Sequence, residues 1–230
     1  DKQRYVLDLQ APLVESGKVR GRLITGYQDN DSFVDNYHYR KKFLYGVMDA
    51  DVTDSTTLSV GYEYQESHTA DPTWGGLPTW YSDGSKTHYN RRQTVAPDWA
   101  YSDKDNTRIF ANFTQRFDNG WEAHINGMHA DTNFDSKLMY MSGYPDKETG
   151  AGMVGYGGWN RGERKQDAVD AFLRGGFDLF GRQHEMMFGG SFSRQRNHYD
   201  NTMPDALYGM VDVGNFKNWN GNIADPQWTP

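Results

Sequence analysis

Apolar and polar side chains alternate one by one over eight stretches of this chain, each about ten residues long. A period of two places one set of side chains on each face of an extended strand, and a helix cannot satisfy it. In 57–65, Leu58, Val60, Tyr62 and Tyr64 oppose Thr57, Ser59, Gly61, Glu63 and Gln65. In 108–117, Ile109, Ala111 and Phe113 oppose Arg108, Asn112 and Thr114. In 168–178, Val169, Ala171 and Leu173 oppose Asp170 and Arg174. The remaining strands are expected at 4–13, 19–28, 42–52, 121–130 and 184–193. Ten residues suit a tilted strand crossing a bilayer, whereas strands of soluble sandwiches are usually about five or six residues long.

The connections sort by length. Short ones fall at 14–18, 53–56, Asp118-Asn119-Gly120 and Gly181-Arg182-Gln183; long ones at about 29–41, 68–106, 140–164 and 195–230. Asn-Gly closes a tight hairpin because both residues accept positive φ. Short turns at one end and long loops at the other are the asymmetry of an up-and-down, antiparallel transmembrane β-barrel. Aromatic residues mark the inferred membrane boundaries, as with Phe117 and Trp121 flanking the Asn-Gly turn. The chain opens in a strand pattern and ends in a loop, Asp225–Pro230. The expectation is therefore an all-β segment, residues 1–230, that forms part of an outer-membrane barrel domain. A small closed barrel of eight strands, structural or adhesive, and a soluble aromatic-rich carbohydrate-binding sheet are the competing architectures.

Composition narrows the function. A mean hydropathy of −0.89 leaves no run of the ~18 apolar residues that a membrane helix needs. Fifteen Tyr, 12 Phe and 7 Trp argue against disorder. The net charge of −7 argues against nucleic-acid binding. Cysteine is absent, so thiol chemistry and Cys-ligated metals are excluded.

The chemical motifs fail on context. Gly150-Ala151-Gly152-Met153-Val154-Gly155 matches GxGxxG, but no strand–helix frame surrounds it, and a loop is expected there. Asp29, Asp31 and Asp35 lack the glycine and glutamate of a calcium loop. The seven histidines form no HExxH, and no GxSxG is present. No catalytic residue and no protein metal ligand is expected. The carboxylates of Asp49, Asp51, Glu63, Glu122 and Asp170 face the lumen and are expected to pair with Arg108, Arg116 and Arg174.

The long loops carry the functional signal. Trp74, Trp80 and Trp99 lie in 68–106, Tyr156 and Trp159 in 140–164, and Tyr199, Tyr208, Phe216, Trp219 and Trp228 in the last loop. Tryptophan and tyrosine offer large contact area for little lost side-chain entropy, so the set reads as a ligand-binding rim. Packing of the loops against one another is the alternative for each residue singly.

At these loops the sequence resembles the TonB-dependent ferric-siderophore receptors, most closely the branch for ferric coprogen and related hydroxamates, which neighbours the ferripyoverdine receptors. The resemblance rests on Asp71-Pro72-Thr73-Trp74-Gly75-Gly76-Leu77-Pro78, Ala96-Pro97-Asp98-Trp99-Ala100-Tyr101, Gly158-Trp159-Asn160 and Leu179-Phe180-Gly181-Arg182-Gln183-His184. It implies about strands two to nine of a 22-stranded barrel, with the plug domain and the other strands outside this chain, in a bacterial outer membrane among lipopolysaccharide and other lipids. It also implies uptake of a ferric hydroxamate siderophore with energy delivered by TonB through that plug; the alternative is a ferripyoverdine. The siderophore's own oxygens wrap the Fe(III), so no cofactor is held by the protein. Trp74 is expected to lead the ligand contacts, followed by Trp159, Tyr156, Trp80 and Trp99.

Overall fold

The computed structural model describes residues 1–205 and 210–229; Tyr208 and Pro230 lie outside the described residues. Eight long strands follow one another as β1 (Lys2–Pro12), β2 (Val19–Asp31), β3 (His38–Asp51), β4 (Thr56–Ala70), β5 (Tyr101–Arg116), β6 (Glu122–Gly143), β7 (Met153–Leu179) and β8 (Arg182–Pro204). Two short strands, β9 (Met210–Asp212) and β10 (Trp228–Thr229), add to β7 and β8. Each long strand pairs antiparallel with its sequence neighbours, so the sheet order is the chain order from β1 to β8. β1 and β8 stand at opposite ends of an open sheet. That overturns the closed eight-stranded alternative and fits a length of wall from a larger barrel.

All eight expected strands are present, but most are longer than their hydrophobic pattern. β6 and β7 reach 22 and 27 residues, and most of the expected 140–164 loop is their ladder. The expected 29–41 loop shrinks to 32–37 and the 68–106 loop to 71–100. Alternation stops where lipid stops, because both faces are then wet. The backbone hydrogen bonds that hold the ladder do not require lipid, so pairing continues into the extracellular space. The GxGxxG segment is the turn and first residues of β7: Gly150 and Gly152 have φ of 72° and 102°, which favour glycine, and no helix follows.

Cross-strand register fixes the faces. Leu7, Leu23 and Met48, then Val60, Ile109, Ile125, Val169 and Phe188, share the outward face, and most are heavily exposed. Such an apolar belt is stable against hydrocarbon and not against water. The opposite face is polar and paired. Arg22 grips Asp8 through two hydrogen bonds of 2.9 and 2.6 Å. Arg108 meets Glu63 at 2.7 Å, and Arg174 meets Glu122 at 2.6 and 2.9 Å, with Arg116 3.6 Å from the same carboxylate. Asp51 pairs with Arg20 instead, and Asp170 accepts from Asn126 at 2.8 Å.

The buried apolar cluster is small and far from the lipid belt. Val95, Met153, Val213 and Phe216 pack together, with Leu77, Tyr89, Met141 and Trp219 around them. Met141 and Met153 lie in the outward register of the β6–β7 projection. This cluster therefore glues the 71–100 loop and the segment after β8 onto the outside of that projection.

Candidate ligand site at the extracellular mouth

The β6–β7 projection carries the site. Its turn is tight because Asp146 accepts from the N–H groups of Glu148 and Thr149 at 2.9 and 2.7 Å and from the Thr149 hydroxyl at 2.9 Å. These bonds hold the Asp146 carboxyl below its ordinary range. On the lumen side of the hairpin, Tyr140 and Tyr156 are direct cross-strand partners. Their rings stack at 5.1 Å with an interplanar angle of 17°. Trp74 meets the Tyr140 ring edge-on at 5.3 Å and 79°. Gly158 makes room for it: a Cβ there would sit 3.3 Å from the Trp74 ring. Trp74 remains 42% exposed and Tyr140 37%, which leaves the platform open to a ligand.

The root of the 71–100 loop aims Trp74. The Asp71 N–H donates to the Ala100 carbonyl at 2.9 Å and clamps the two ends of the loop together. Asp71 takes a φ of 50°, which Asp and Asn tolerate better than most residues. Its carboxyl is pushed up to about 6, first by burial and then by the charge of Asp98. The folded value lies above the unfolded one, so ionisation costs nothing below about pH 4. The cost grows as pH rises through about 6 and stays above it. Asp71→Asn keeps the backbone and removes this charge. It is expected to slow proteolysis of the loop above pH 6 and to change nothing below about pH 4, as followed by limited digestion across pH.

The sequence-predicted site residues fall into three groups. Trp74 and Tyr156 come together with Tyr140. Trp99 and Trp159 gather around Trp228, at 5.6 and 6.3 Å. Trp159 lies in the outward register, on the face away from Trp74. There Lys137 fills the space between Trp159 and Trp228, 5.0 and 5.3 Å from their centroids, and bonds Asp225 at 2.6 Å. The Trp159 indole donates to Asp135 and that of Trp228 to Asp225. This knot pins the last described segment to the projection. Trp80 sits apart with Lys86, whose ammonium lies 5.6 Å from the ring. Sequence reasoning missed Tyr140. The available signal was its position opposite Tyr156 across a glycine-rich turn, which is visible only if the ladder is extended past the lipid belt. Among the described residues, no three His, Asp or Glu side chains converge to hold a metal.

No protein-family model matches the chain. The ferric-pyoverdine BN7/BN8 receptor of Pseudomonas putida is 33% identical over 98% of this chain, and the ferripyoverdine receptor of Pseudomonas aeruginosa is 32% identical over 99%. The chain spans 28% of the length of each. The crystal structure of the P. aeruginosa ferripyoverdine receptor bound to ferripyoverdine superposes with a TM-score of 0.92 at 29% identity, over all of this chain and 30% of that one. The ferric-catecholate import receptor Fiu of E. coli K12 shares the fold, with a TM-score of 0.84 at 14% identity over 99% of this chain and 34% of its own. End-to-end likeness, the inside-out sheet and the sorted loops converge: this chain is a length of outer-membrane β-barrel wall, similar over its whole length to a part of these ferripyoverdine receptors.

Proposed function

We propose that this chain supplies part of the mouth of a receptor that captures a ferric siderophore of the pyoverdine type for TonB-driven import. The observation that carries the reading is the open platform of Trp74, Tyr140 and Tyr156 on the lumen-facing side of a rigid hairpin. Its three side chains are aromatic rings, so it grips a ligand by ring contact and shape rather than by opposite charge. The iron travels as cargo inside the siderophore's own oxygens. The relatives' stated cargo is ferric pyoverdine, which favours that class over the ferric coprogen expected from the loop motifs.

Tryptophan-fluorescence titration of the full-length receptor tests this. Ferric pyoverdine, ferric coprogen and ferrioxamine are compared with their metal-free forms. Saturable quenching at the lowest concentration by a ferric pyoverdine is the expected result. Tighter quenching by ferric coprogen would return the cargo to the hydroxamates, and silence toward every ferric siderophore would sink the proposal.

A further inference from the structure

Above the Glu63–Arg108 pair, the lumen face from β3 to β8 carries charge of one sign. Cross-strand register lays this part of the wall out as rungs. One rung joins Lys41, Ser67, Lys104, Phe134, Gly162 and Tyr199. The rung above runs from Tyr39 to Asn201 through serine, threonine and asparagine only. The rung below runs from Phe43 to Asn197 and adds Arg164. In a chain of net charge −7, these rungs hold Lys41, Lys104 and Arg164 and neither aspartate nor glutamate. On the outward face at the same height, cations are answered: Lys42 lies 3.7 Å from Glu66 and Arg196 3.9 Å from Asp167. Among the described residues, Lys41, Lys104 and Arg164 have no carboxylate partner. A wall of one sign raises the local concentration of ligands of the other.

Ring surface stands beside these cations. Phe134 and Tyr199 flank Gly162 on one rung, with ring centroids 6.0 Å apart and planes tilted by 34°. Only glycine fits between them: a Cβ at Gly162 would lie 2.5 Å from the Phe134 ring and 2.6 Å from the His198 carbonyl oxygen. Tyr199 is 56% exposed, and its hydroxyl donates to the side-chain oxygen of Asn160. Lys104 is the cross-strand partner of Phe134, and Arg164 is the next lumen-facing residue after Gly162 on β7. Both cations are exposed. Lysine and arginine hold a carboxylate through short, charge-assisted hydrogen bonds, while the rings take the apolar body that carries it. The set lies below the Trp74 platform on the same face, since Tyr156 to Gly162 is roughly 20 Å along β7 at ~3.3 Å per residue.

We infer that Phe134, Tyr199, Lys104 and Arg164 form a second station for the cargo, and that this station reads a carboxylate. The receptor therefore selects ferric siderophores that carry at least one free carboxylate. The inference rests on the siderophore reading of the platform and adds the charge class of the cargo: rings are read at the mouth and charge lower down.

The test titrates the full-length receptor by tryptophan fluorescence with two probes. One is a ferric pyoverdine bearing a free carboxylate; the other is the same molecule with its carboxylates converted to primary amides. The parent receptor is expected to prefer the acid form about tenfold. Lys104→Gln combined with Arg164→Gln is expected to bring that preference to about one, through weaker binding of the acid form, with heat-modifiable mobility as in the parent. Lys42→Gln, on the outward face, is the control and keeps the parent's preference. Equal affinity of the parent for both probes would overturn the station and leave the siderophore reading standing. An equal loss for both probes in the double variant would also overturn it, since the cations would then be holding protein and not cargo. Silence of the parent toward both would sink the siderophore reading and the station with it.

Discussion

Trp74→Ala is expected to weaken ferric-siderophore binding about tenfold or more while the barrel assembles normally. Truncation removes the indole that stands edge-on to Tyr140 at 5.3 Å, and with it one wall of the platform. A single aromatic anchor is worth roughly 2 kcal/mol on removal, and each 1.4 kcal/mol is about tenfold in affinity. The loss should fall on affinity alone, because Trp74 lies outside the lipid belt and outside the buried cluster of Val95 and Phe216. Trp159→Ala is the internal comparison. It loosens the knot with Lys137 and Trp228 on the other face, and is expected to shift affinity by less than about threefold. Fluorescence titration of both variants decides the matter: a larger loss in Trp159→Ala than in Trp74→Ala would place the ligand on the wrong side of the hairpin.

The largest expected effect on stability is at Gly189. It pairs with Phe172 on the lumen face, where an added Cβ would lie 2.4 Å from the Ala171 carbonyl oxygen and 2.6 Å from the Phe172 Cβ. The carbonyl is main chain and cannot swing aside. Phe172 is itself held by stacking on His124 at 4.5 Å. Gly189→Val must therefore part β7 from β8, at a cost of about 1–3 kcal/mol or more. Its neighbour Gly190 faces outward with nothing within 4 Å, so Gly190→Val adds a lipid-facing side chain and is expected to be neutral or mildly stabilising. Urea midpoints of the refolded full-length receptor measure both. Equal midpoints for the two variants would contradict the register that separates them.

These variants also mark where local pattern stops being informative. Period two, written in residues such as Leu58, Val60, Tyr62 and Tyr64, fixed strand identity because a half-lipid, half-lumen wall imposes that period on side chains directly. The same pattern located the lumen pairs Glu63–Arg108 and Glu122–Arg174, which are cross-strand neighbours. Asp170 found Asn126 instead of an arginine, and Asp51 found Arg20, because residues of one face choose among several polar neighbours.

The chain's own order of residues determined the antiparallel sheet, its inside-out polarity and the end on which the long loops stand. Each follows from solvent contact residue by residue, and a two-residue period records solvent contact. Tertiary structure alone decided how far the strands continue beyond the lipid, since hydrogen-bonded pairing of β6 with β7 needs no hydrophobic signature. It alone also sorted the loop aromatics. Trp74 reaches Tyr140 and Tyr156 because the loop is clamped at Asp71 and Ala100, while Trp159, only three residues from Tyr156, turns to the opposite face because an odd step in a strand reverses the side chain.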